Sequence, residues 1–228
     1  MNRTTIEFAD FTWNPIVGCK FGCPYCWARK FHRRYFCGDF TAPVFHAERM
    51  NDKVPRMPKN RNYIARAISP DKPVVFVCDM GDFFSAGVEW WWQRAVLTFI
   101  HAHQEANFIL LTKNPSGFSD FVNDIPGNVI CGTSLDYAHN LYRVEGLKCY
   151  APPWCRTFVN IEPIMSMMKH VDFSGIDFVV VGALSGAKYR PDPEWHRSIN
   201  HPIIHYKRNY IEYFPELKLH QPILPRTS

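Results

Sequence analysis

Five short apolar runs constrain the fold of this chain more than any other feature. They read VVFVC at 74–78, FILL at 108–111, VICG at 129–132, TFVNI at 157–161 and FVVVG at 178–182, with a weaker sixth, PIIHY, at 202–206. The runs are rich in β-branched and aromatic residues and do not alternate cleanly with polar ones. Strands buried on both faces look like this, as in a parallel sheet covered by helices. Between the runs, Val88, Trp91, Trp92, Ala95, Val96, Phe99, Ile100 and His103 recur at helical spacing. That spacing predicts an amphipathic helix over about 87–105, with Trp91 and Trp92 on its buried face and Trp90 off it. Shorter helices are expected at 60–67, 115–122 and 135–144. Repeated βα units of this kind predict an α/β fold: a partial (open) βα barrel of about six parallel strands.

The 228 residues suit one domain, 1–228. Within it a cysteine-bearing loop spans 12–30, an irregular proline-containing insert 37–59, and a proline-punctuated tail 213–228. No apolar run approaches the roughly 18 residues that a membrane span requires. The opening MNRTTIEFAD has no apolar core like that of a signal peptide. The expectation is a soluble, cytoplasmic protein with no membrane partner. A net charge of +5 permits a polyanionic partner without demanding one.

In parallel α/β architectures, sites form at the carboxyl ends of the strands. Here those ends carry Asp79, Met80, Gly81 and Asp82; Lys113 and Asn114; Thr133, Ser134 and Asp136; Glu162; and Ser185, Gly186 and Lys188. Any one of them could be a helix cap or a turn, but polar groups recur where a ligand would lie. Lys188, Arg190, His205, Lys207 and Arg208 add positive charge near the last strands.

Cys19, Cys23 and Cys26 stand at C-x3-C-x2-C spacing. With eight cysteines in the chain, one such specified triplet is expected by chance roughly 0.01 times. Three thiolates on one loop can hold three corners of a [4Fe–4S] cube and leave one iron open. The alternative is a zinc loop completed by a distant ligand, in a nucleic-acid-binding module without catalysis. Cys37, Cys78, Cys131, Cys149 and Cys155 lack compact spacing and read as structural.

The cysteine loop, with Tyr25 ahead of the third cysteine, resembles the signature of radical SAM enzymes. TTIEFADFTWNPIVGC, LLTKNP, CGTSLD, NIEPI and VVVGALSG, in this order, are similar to the motifs of a poorly characterised, largely phage-associated radical SAM family. The resemblance implies a [4Fe–4S] cluster on Cys19, Cys23 and Cys26 with S-adenosylmethionine chelating its fourth iron. It implies a 5′-deoxyadenosyl radical that abstracts hydrogen, in an isomerase-type or nucleobase-modifying reaction. Implied partners are a reductant of the flavodoxin or ferredoxin type and a nucleic-acid or modified-nucleotide substrate in phage DNA, reached in the host cytoplasm. The S-adenosylmethionine site would comprise Tyr25, Met80, Asp82, Lys113, Thr133, Ser134, Glu162 and Ser185, with Trp13 packed under the cluster. Leu184 and Asn160 depart from the family pattern, which often has Glu and Cys there. The Leu184 departure raises the third possibility of a degenerate scaffold.

Overall fold

The structure, a computed structural model, describes residues 1–186 and 189–220. The strands are β1 (Asn2–Arg3), β2 (Phe11–Trp13), β3 (Ile16–Val17), β4 (Val44–Phe45), β5 (Val74–Val77), β6 (Asn107–Thr112), β7 (Val129–Ser134), β8 (Arg156–Ile161), β9 (Phe178–Val181) and β10 (Ile204–Tyr206). The helices are α1 (Trp27–Tyr35), α2 (Tyr63–Ile68), α3 (Trp90–Ala102), α4 (Tyr142–Tyr150), α5 (Pro193–Arg197) and α6 (Arg208–Ile211). Eight strands form one sheet in the order β1-β2-β5-β6-β7-β8-β9-β10, and β3 pairs with β4 separately. From β2 to β10 every neighbouring pair in the main sheet is parallel; only β1 runs antiparallel, on β2. The fold is therefore α/β, with a mostly parallel sheet flanked by helices.

All six runs are strands, and the reason they fail to alternate is visible in the packing. Val75 and Val77, Phe108 and Leu110, Val129 and Cys131, Val159 and Ile161, and Val179 and Val181 face a large core shared with α3 and α4. Their in-between neighbours Val74, Phe76, Ile109, Ile130, Phe158, Phe178 and Val180 face a second, smaller core. That second core is closed by Phe8 and Ala9 of the N-terminal segment and by Ile64 and Ile68 of α2. Both faces exclude water, so both sets of side chains are apolar.

Several expectations need correction. The parallel set has seven strands, because β2 joins β5 through the register Phe11↔Val75 to Trp13↔Val77. This strand is too short to show in the sequence as an apolar run. The helix expected over 87–105 is Trp90–Ala102. Its buried face carries Gln93, Val96, Leu97, Phe99 and Ile100, and Trp91 is 51% exposed. The α3 stripe is thus rotated away from Trp91, which rests edge-on against Phe45. The segment at 115–122 is a 3-10 turn, and the helix expected at 135–144 starts later, at Tyr142. The 37–59 insert contains β4 and a 3-10 turn at Ala47–Asn51.

Two glycines set the position of the cysteine loop. Gly18 has φ +109° and pairs with Gly81, just after β5, in an isolated parallel bridge. A Cβ on Gly81 would lie 2.8 Å from the Gly18 carbonyl oxygen. Only glycine permits this approach and this backbone conformation together. The loop is also tied by Cys19 N–H to the Phe40 carbonyl (2.8 Å) and by Lys20 N–H to Ser85 Oγ (2.9 Å).

Candidate functional site: a cleft at the strand carboxyl ends

The loops that follow β5–β10 surround a cleft of about 470 Å³. Asp79, Gly81 and Asp82 enter it from β5, Lys113 from β6, Ser134 from β7, Asn160 and Glu162 from β8, Leu184 and Ser185 from β9, and Lys207 and Asn209 from β10. Phe8, Phe76 and Leu111 form its apolar floor, continuous with the second core. The cysteine loop closes the opposite side with Cys19, Phe21, Cys23, Tyr25, Cys26 and Trp27. Each of these βα units contributes at least one polar group, which is how parallel sheets assemble sites.

Asp136 fixes the cysteine loop to the β7 end. Its carboxylate accepts the Tyr25 hydroxyl, Arg143 Nη1 at 3.1 Å and Asn140 Nδ2 at 2.8 Å, and Lys113 Nζ lies 3.6 Å away. Burial pushes the Asp136 carboxyl upward. The Tyr25 hydrogen bond, Lys113, Asn140 and Arg143 outweigh this and hold it down at about 2. The Tyr25 phenol moves the other way, raised by burial and by donation to a carboxylate. Lys113 Nζ also donates to the Tyr25 oxygen at 3.2 Å.

Asp82 is a brace. Its carboxylate accepts Thr112 Oγ1 (2.7 Å), the Lys113 N–H (2.8 Å) and the Phe84 N–H (3.0 Å), joining the ends of β5 and β6. Burial raises its pKa against these three donors. Across the cleft, Glu162 receives Lys207 Nζ at 2.7 and 2.9 Å. Asp79 accepts Asn14 Nδ2, and burial raises its pKa as well.

Asn160 stands apart from these satisfied groups. The residue is 5% exposed, and its Oδ1 has no hydrogen-bond partner although it lines the cleft. Buried carbonyl oxygens are normally paired, and leaving one unpaired costs about 1–3 kcal/mol.

Of the residues singled out from sequence, Tyr25, Asp82, Lys113, Ser134, Glu162 and Ser185 line this one cleft with the three cysteines. Two do not join them. Thr133 is fully buried and donates to the Thr112 carbonyl. Met80 lines a neighbouring cavity, and its backbone bonds to Asn14 and Gly18. Trp13 is buried against Phe99 with its Nε1 on the Arg49 carbonyl, in that same neighbouring region. Cys78, Cys131 and Cys155 are buried, as structural cysteines are, whereas Cys37 and Cys149 are exposed. Lys188 lies outside the described residues. Sequence reasoning assigned no site role to Asn209, Glu7 or Asn160; Glu7 and Asn160 lie inside the motifs, but only the fold brings the N-terminal segment and the β8 and β10 ends to one cleft.

The thiols do not form a metal centre. Among the described residues, no three His, Cys, Asp or Glu side chains are placed to hold a metal ion. Cys19 Sγ accepts the Phe21 N–H (3.4 Å), and Cys26 Sγ accepts the Arg29 N–H (3.3 Å) at the start of α1. Burial pushes the Cys19 thiol up to about 11 and raises Cys23 as well.

A family model described as a protein of unknown function, DUF5131, matches residues 3–214. The chain belongs to that family. No curated protein and no solved structure matches it. The radical SAM resemblance is therefore corrected. The family match carries no such assignment, and the donor geometry fits neither the expected [4Fe–4S] cluster nor a zinc loop. The S-adenosylmethionine cofactor, the radical reaction and its isomerase or nucleobase-modifying outcome fall with that centre. No helix of the described residues is long and apolar enough to cross a membrane.

Proposed function

We propose that the chain is a ligand-binding α/β protein whose cleft takes a nucleobase or nucleoside bearing exocyclic amino groups. The one-way strand order supports reading the sheet as an open barrel in a single domain, with the cleft at its mouth. The observation that carries the proposal is the orphaned Asn160 Oδ1 on the cleft wall. Its neighbours favour the same class of ligand. Glu7, Asp79, Asp82 and Glu162 put four carboxyl groups on the lining, against Lys113 and Lys207, and Lys207 is already engaged by Glu162. Carboxyl groups therefore outnumber ammonium groups on the lining. Phe8, Phe76, Tyr25 and Trp27 offer flat apolar surface, so a planar ring with N–H groups on its edge fits better than an aliphatic or anionic molecule.

Calorimetric titration with adenosine, cytidine, guanosine, uridine and free amino acids tests this reading. The amino-bearing nucleosides should bind, uridine more weakly. Asn160→Leu should weaken binding at least tenfold while leaving thermal stability equal or higher, because it removes an unpaired buried acceptor. Binding indifferent to Asn160→Leu, or no binding by any nucleoside, would reject the proposal.

A further inference from the structure

Helix α1 leaves the cleft rim with an unusual surface. Its sequence, WARKFHRRY, places Trp27, Phe31 and Tyr35 at i, i+4 and i+8, on one face. These side chains are 50, 43 and 58% exposed, and Phe36 just beyond is 56% exposed. The rings form a continuous ladder, with centroids 6.4 Å apart from Trp27 to Phe31 and 4.6 Å from Phe31 to Tyr35. Lys30 and Arg34 form a second row beside the ladder, Arg33 is exposed next to it, and the Arg34 guanidinium lies 5.3 Å from the Tyr35 ring centre. The helix contains no acidic residue.

Large exposed aromatic surface is costly to keep in water and normally marks a contact site. Here cations run alongside it, so the occupant is a polyanion with flat apolar groups. We propose that α1 is a platform for single-stranded nucleic acid, with bases stacked on Trp27, Phe31 and Tyr35 and phosphates paired with Lys30, Arg33 and Arg34. A membrane surface would also attract cations and aromatics. Two observations favour the nucleic acid. The ladder is purely aromatic, without aliphatic side chains to enter acyl chains. It also begins at Trp27, a residue of the cleft itself, whose walls are amide and carboxylate and suit a base rather than a lipid tail. That a strand on α1 delivers a base into the cleft rests on the function proposed above; binding of the strand to α1 does not.

Fluorescence anisotropy with labelled DNA and RNA single strands of about 15 nucleotides tests the platform. Three phosphate contacts predict roughly a 20-fold affinity loss between about 50 and 200 mM salt. Lys30→Glu with Arg34→Glu should abolish binding, and Phe31→Ala with Tyr35→Ala should weaken it about tenfold or more. All four positions are exposed, and circular dichroism checks that the variants fold. Both double variants should still bind nucleosides, whereas Asn160→Leu should lose nucleosides and keep the strand, so the two proposals fail separately. No strand binding at about 50 mM salt, undiminished binding by the charge-reversed variant, a preference for duplex, or binding only to phosphatidylserine vesicles would each overturn the platform.

Discussion

Asp136→Asn tests whether the cysteine loop is held to the sheet electrostatically. The substitution keeps size and shape but removes the charge facing Lys113 at 3.6 Å and Arg143 at 3.1 Å, and it weakens the acceptor for Tyr25. A carboxyl held at about 2 in the fold, against an ordinary 3.8, corresponds to at most about 2.4 kcal/mol of stability at neutral pH. Solvent screening reduces this to about 1–2 kcal/mol. The sign is that of a depressed acid: the contribution is complete above the unfolded value and is lost as pH falls through the folded one. About half should remain near pH 3. Urea unfolding of both proteins at pH 7 and pH 3 measures it. The variant should be less stable at pH 7 by the stated amount, and the gap should shrink by about half at pH 3. Equal stability at pH 7, or a gap that does not change with pH, would refute the reasoning.

Two further substitutions probe the frame. Gly132→Ala would put a Cβ 2.2 Å from Cε1 of the fully buried Phe158, and such overpacking typically costs about 1–3 kcal/mol. Thermal unfolding should show Tm lowered by roughly 2–12 °C; an unchanged Tm would mean that this strand pair packs otherwise. Asp82→Ala strands the Lys113 and Phe84 N–H groups that it braces, and should cost about 2–4 kcal/mol by chemical denaturation. A loss below about 1 kcal/mol would show that the β5 and β6 ends hold together without it.

Much of the frame was legible because burial on both sheet faces writes itself into composition. The run VVFVC announced β5, and the polar residues after each run marked the cleft wall. The short β2 left no such signature, since three residues carry no period and its partner β5 supplies the evidence of strand. The rotation of α3 was hidden because Trp91 and Gln93 exchange the burial that hydropathy assigns them: Gln93 goes inward by donating to the Phe83 carbonyl at 2.8 Å. At the site, spacing identified the three cysteines but not their surroundings. Whether thiols converge on an ion depends on loop geometry fixed by Gly18, Gly81 and the Tyr25–Asp136 contact, which are remote from one another in sequence. The α1 ladder was present in the sequence as i, i+4, i+8 aromatics, but its exposure depends on which way the helix lies.

The most direct measurement is a crystal structure of the protein with an amino-bearing nucleoside. The base should lie in the cleft over Phe8 and Phe76, with an exocyclic N–H within hydrogen-bond distance of Asn160 Oδ1. A nucleoside bound instead in the cavity beside Trp13 and Met80, or in the cleft with Asn160 Oδ1 still unpaired, would contradict the account.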